Sequence, residues 1–195
     1  SMSSPIVTGA TAVIIQYFRE MCGGQDPSPA LLKSLLITIA QDMNNDYGTD
    51  YAPNYDEGWG RIWLPALIES TITNICENQS VLLQQDEIWE RQFFVNDSSE
   101  NLKITLSWTD VPGLPSAVPS LVNDLDLEVI DPNGKLYYGN QFLYGVSVTG
   151  SSPDRKNNVE GFLIKEPLSG MYTVRVRAHR IAEDARSDTN EIDQD

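Results

Sequence analysis

Histidine is nearly absent from this chain: one imidazole, His179, among 195 residues. A serine or threonine with no base beside it keeps its proton and is a poor nucleophile, so the chain by itself is ill equipped for acyl transfer. Positive charge is also scarce. Thirteen Lys and Arg stand against 28 Asp and Glu, a formal net charge of −15. Nothing so acidic neutralises a phosphate backbone, which excludes a nucleic-acid partner. Uninterrupted apolar runs of membrane-spanning length are missing too, so no membrane span is expected. No secretory leader is visible, and an internal piece of a longer precursor would not show one. Cysteine is limited to Cys22 and Cys76, which read either as a disulfide or as two buried thiols. With 41% hydrophobic and 21% charged residues, the composition is that of a folded protein rather than a disordered one.

Charge is missing altogether from Ser1 to Phe18. Ser1-Met2-Ser3-Ser4-Pro5 followed by the apolar run to Ile15 reads as the N-terminus of a buried helix, with Pro in its first turn. Such an end favours negative charge, because backbone N–H groups are unpaired there and the helix dipole is positive. The spacing predicts a helix over Pro5 to Met21, closed by Gly23-Gly24. A second helix is capped by Ser28 with Pro29 behind it, and a third runs from about Pro65 to Ile75. Asn44 to Gly60 is rich in Asn, Asp, Gly and Tyr and reads as a loop.

From Glu77 onward the apolar period becomes two. Strands are expected at Ile88–Val95, Leu102–Trp108, Leu125–Ile130, Leu136–Tyr138, Val159–Ile164 and Tyr172–Ala178, with turns at Asn96 to Asn101, Asp131 to Gly134 and Ser169-Gly170. Many short strands between turn signals indicate a sandwich or jelly roll. The fold class expected is therefore α+β: helices over 1–76, then an antiparallel β-sandwich or jelly-roll domain over 80–195.

Several stretches carry a family likeness when taken in order. Ser1-Met2-Ser3-Ser4-Pro5 is similar to the nucleophile motif of subtilisin-like serine proteases, without its leading Gly-Thr. Pro29-Ala30-Leu31-Leu32-Lys33 and Gly58-Trp59-Gly60-Arg61 follow in the family's order and spacing. In the β half, Ser107-Trp108-Thr109-Asp110-Val111-Pro112, Leu121-Val122-Asn123-Asp124-Leu125-Asp126-Leu127, Pro132-Asn133-Gly134, Asn157-Asn158-Val159-Glu160 and Gly170-Met171-Tyr172-Thr173-Val174 resemble the C-terminal β-barrel of alkaline serine proteases in the same superfamily. The likeness covers roughly residues 1 to 180. The first five residues alone are equally a serine cap before a buried helix, and Ser1-Met2 is open to a third reading as a remnant of recombinant expression.

The resemblance implies that Ser1 is the nucleophile of a peptide-bond hydrolase acting through an acyl-enzyme. The family's His-Gly-Thr-His and Asp-Thr-Gly motifs and its oxyanion asparagine are absent from this sequence, and His179 sits on an expected strand near the acidic tail. The expectation is a C-terminal portion of a secreted or vacuolar subtilisin-like endopeptidase, inactive alone. Its partners would be the missing N-terminal part of the catalytic domain and, for the parent, polypeptide substrates. Acceptor patterns for N-glycosylation at Asn78 and Asn96 favour secretion.

Asp124 and Asp126 are two apart and project from one face of an expected strand. Neighbouring carboxylates repel unless neutralised, and a cation is the usual remedy. The related barrels bind calcium, and the matching positions here are Asp124, Asp126, Asn140 and Asp154. Gln141 departs from the pattern where a carboxylate is expected. The alternative is a set of solvated edge carboxylates. A second function class is accordingly a non-catalytic calcium-binding β-sandwich interaction module carrying a vestigial protease segment.

Overall fold

A computed structural model describes residues 1–21, 23–43, 51–68, 80–96 and 99–195. The chain is mixed α+β and mostly β, and it divides into two units, Ser1–Asn78 and Gln79–Asp195. Cys22, Cys76, Asn78 and the far half of the expected third helix lie outside the described residues.

In the first unit, α1 (Ser3–Met21) begins two residues earlier than the spacing predicts and keeps Pro5 in its first turn. Its buried stripe is Ala10, Ile14 and Phe18, at helical spacing. Ile14 and Phe18 pack into a cluster with Leu31, Leu35, Ile39 and Leu67. Outside that stripe α1 leaves apolar side chains uncovered: Ile6 is 69% exposed, and Val7, Val13 and Met21 are exposed as well. α2 (Pro29–Thr38) starts as expected, the Leu31 N–H donating to Ser28 Oγ at 3.0 Å. The Gly24 N–H returns to the Arg19 carbonyl at 2.8 Å behind two left-handed glycines, Gly23 and Gly24. A two-residue pair of strands, β1 (Ala40–Gln41) and β2 (Arg61–Ile62), then holds the Gly-Trp-Gly-Arg segment in place. Gly60 has φ +104°, and a Cβ there would meet the Gln41 carbonyl carbon at 2.6 Å, so no other residue fits. The described part of α3 is Pro65–Ile68.

The second unit is a five-stranded antiparallel sheet in the order β3-β9-β5-β6-β7, with a separate antiparallel pair β4-β8. The strands are β3 (Ile88–Val95), β4 (Leu102–Ser107), β5 (Asp124–Ile130), β6 (Leu136–Leu143), β7 (Val146–Thr149), β8 (Val159–Ile164) and β9 (Gly170–Arg180). Period-two alternation sets the core. Leu127 and Val129 of β5 join Tyr172 and Val174 of β9, Tyr137 of β6 and Phe162 of β8, with Leu102, Ile104 and Leu106 of β4 packed against them. A neighbouring cluster holds Trp108, Leu121, Leu125, Ala178 and Ile181. The opposite phase of β5 therefore carries Asp124, Asp126 and Glu128, and these too are buried.

Polar motif residues close the ends of this unit. Trp108 Nε1 donates to the Asn123 carbonyl at 3.1 Å, and Asp110 accepts the N–H groups of Val122 and Asn123 at 2.8 Å each. The acidic tail is tied in. Gln194 exchanges backbone hydrogen bonds with Leu83 and accepts from Asn123 Nδ2 at 3.1 Å. A fully buried amide pair needs such partners to offset its desolvation, and here it finds them.

Candidate functional site

Ser1 is exposed and lies just ahead of α1, whose first turn contains no acidic side chain. The leading backbone N–H groups of a 19-residue helix are unpaired, so the end of α1 is a region where developing negative charge is stabilised. His179 is exposed on β9, in the other unit. Ser1 and the expected calcium ligands thus belong to separate units.

The four expected ligands fall into two pairs. Asp124 and Asp126 are each 1% exposed on the same face of β5. Arg155, from the connection between β7 and β8, lies across them. Its guanidinium grips both oxygens of Asp126, Nη2 donating to Oδ2 at 3.1 Å, and its Nη1 is 3.5 Å from Asp124 Oδ2. Asn140 and Asp154 form the second pair: Asn140 Nδ2 donates to Asp154 Oδ2 at 2.7 Å. Asp154 also accepts from the Lys156 N–H at 2.8 Å and from Asn157 Nδ2 at 2.6 Å.

Asn140 is the hinge of this arrangement. It adopts φ +60°, a left-handed conformation that Asn tolerates better than most residues. From there its side-chain amide behaves as an extra peptide group against β8, giving an N–H to the Val159 carbonyl at 2.7 Å and accepting the Gly161 N–H at 2.9 Å. Between those two backbone contacts sits Glu160, fully buried and in the same strand phase as the core residues Phe162 and Ile164. Its Oε2 accepts the Leu127 N–H at 2.6 Å, satisfying β5 above the point where the β5–β6 ladder begins at Glu128.

The charges respond to this burial. Desolvation pushes the Glu160 carboxyl up to about 9, only partly opposed by the Leu127 N–H, so it is protonated at neutral pH. Burial also raises Asp124, and the Arg155 charge pulls it part of the way back. For Asp154 burial works upward, yet the hydrogen bonds from Asn140, Asn157 and the Lys156 N–H together hold the carboxylate below its ordinary value. Two buried oxygens of the set have no hydrogen-bond partner, Asp124 Oδ1 and Glu160 Oε1.

Calcium takes six to eight oxygen ligands. As arranged, Asp126 is engaged by Arg155, Asp154 is saturated by N–H donors, and the Asn140 oxygen accepts from Gly161. Among the described residues no three His, Cys, Asp or Glu side chains are grouped to hold a metal. Sequence reasoning missed both Arg155 and Glu160 as members of the set. Glu160 was detectable, since a carboxylate in the core phase of an apolar strand demands a partner.

No family model matches the chain. Two curated proteins of Dictyostelium discoideum are similar to it over most of its length. The serine protease/ABC transporter B family protein tagA is 29% identical over 196 residues, 90% of this chain and 11% of the relative. The protein tagD of the same description is 24% identical over 234 residues, 91% of this chain and 13% of the relative. These relatives point to a protease-related family. The chain spans only about a tenth of their length. Among the described residues no helix is long and apolar enough to cross a membrane.

Proposed function

We propose that this chain is the C-terminal portion of a subtilisin-like serine endopeptidase. In this reading Ser1 is the nucleophile at the head of α1, α1 and α2 belong to the end of the catalytic domain, and residues 80–195 are a β-sandwich or jelly-roll accessory domain. The observation that carries it is the alignment of 90% of the chain with a relative named as a serine protease, on top of the ordered motifs from Ser1 to Val174. Parent substrates are polypeptides, and the parent acts in the extracellular space or the vacuole.

The base and its orienting carboxylate come from the part of the catalytic domain that precedes Ser1, because Ser1 alone has no group to take its proton. The exposed apolar side chains Ile6, Val7 and Val13 of α1 are the surface that this preceding part covers. In the longer protein, a serine-directed covalent inhibitor is expected to label wild type and not the Ser1→Ala variant. Equal labelling of the variant overturns the assignment.

A second reading, a non-catalytic β-sandwich interaction module, draws on the self-contained clusters of unit two. It predicts that the coding sequence ahead of Ser1 lacks a histidine and an aspartate motif. Its calcium-binding form requires an ion at Asp124 and Asp126, the position that Arg155 holds.

A further inference from the structure

Two buried carboxylates on one strand face need a positive charge within a few ångströms, since an uncompensated buried charge is costly. Among the described residues, Arg155, His179 and Arg180 act on Asp124, and Arg177 stands opposite Asp126 on β9. Arg180 spends its donors on carbonyls, Nε on Val122 at 3.0 Å and Nη2 on Leu121 at 2.6 Å. Arg177 turns to Glu128, its Nε 3.0 Å from Oε1. His179 is exposed. Only Arg155 reaches both aspartates among the described residues, forking onto Asp126 and touching Asp124 with the same nitrogen.

The geometry points to Arg155 as the built-in counter-cation of the Asp124/Asp126 edge, standing where a divalent ion would otherwise be needed. The β unit then holds this edge together without metal, in disagreement with the calcium that the family resemblance implies. Three features support it. The guanidinium fork matches a carboxylate bidentately, which a point charge does not. Arg155 Nη1 also donates to the Asp154 carbonyl at 3.3 Å, tying the loop to the pair. And Asp154 and Asn140, the other two expected calcium ligands, are hydrogen-bonded to one another at 2.7 Å.

The test is thermal unfolding of the full chain in chelator and in millimolar calcium, for wild type, Arg155→Met and Arg155→Lys. The wild-type midpoint is expected to be the same in both solutions, within about 1 °C. Arg155→Met should lower the midpoint in chelator by about 5–10 °C, because it strands two buried carboxylates while the arginine was itself partly exposed. Calcium should recover part of that loss, the vacated edge now accepting a cation. Arg155→Lys should fall between the two. A wild-type midpoint that climbs several degrees with calcium overturns the inference, as does an Arg155→Met variant as stable as wild type. If Arg155→Met does not fold, the triple variant Asp124→Asn, Asp126→Asn and Arg155→Met removes all three charges at once and should restore folding without calcium. A triple variant that folds only with calcium contradicts the inference.

Discussion

Gly139 lies against Glu160 with no room for a side chain: a Cβ at Gly139 would stand 2.6 Å from Glu160 Cβ. The close approach lets a carboxyl from β8 reach the backbone of β5, where Glu160 Oε2 accepts the Leu127 N–H. Gly139→Ala must therefore separate β6 from β8. A loss of roughly 1–3 kcal/mol is expected, measured by urea unfolding. An unchanged midpoint would show that the two strands have slack.

The buried Glu160 makes stability depend on pH in a definite direction. Its carboxyl is raised from 4.5 to about 9, so between these values the unfolded chain releases a proton that the folded chain keeps. The stability of this group is fully present below the unfolded value and declines as pH rises towards the folded one. Glu160→Gln removes the titration. The variant should match wild type near pH 4 and exceed it above about pH 8, as read from unfolding midpoints across that range. Parallel curves for the two proteins would refute a buried, protonated Glu160.

Asn140 combines a left-handed backbone with hydrogen bonds to Asp154, Val159 and Gly161. Asn140→Ala loses all three and keeps the strained φ, a cost of about 2–4 kcal/mol. Asn140→Gly relaxes the backbone but not the lost bonds and should be the milder of the two. Equal destabilisation by Ala and Gly would mean that backbone conformation contributes little.

The Ser28 cap is a local test in the first unit. Ser28→Ala removes the acceptor of the Leu31 N–H and should cost about 1 kcal/mol. The expected readout is faster amide exchange in the first turn of α2, with the β unit unaffected. Unaltered exchange at Leu31 would show that another group serves as cap.

Much of the β unit is legible because half-buried strands announce themselves by alternation. Ile88–Val95 and Val159–Ile164 have the bounds that period two indicates. β7, four residues long, is too short to register, and β6 runs on to Leu143 through a residue at positive φ that breaks the simple pattern. The shared face of Asp124 and Asp126 follows from spacing alone. Their partner does not, because Arg155 sits in a loop 29 residues from Asp126, and no local period connects a strand to a loop so distant. The pairing of Gln194 with Leu83 is invisible for the same reason: a polar, acidic tail has no apolar alternation to mark it as a sheet element.

The most direct test of the protease reading is to locate the adduct of a serine-directed covalent inhibitor on the longer protein by peptide mass spectrometry. Ser1, Ser3 and Ser4 stand within four residues at the start of α1, so the modified residue discriminates among them. A single adduct on Ser1 is expected, with Ser3 and Ser4 unmodified. An adduct on either neighbour, or no adduct in this peptide while the protein cleaves polypeptides, contradicts it.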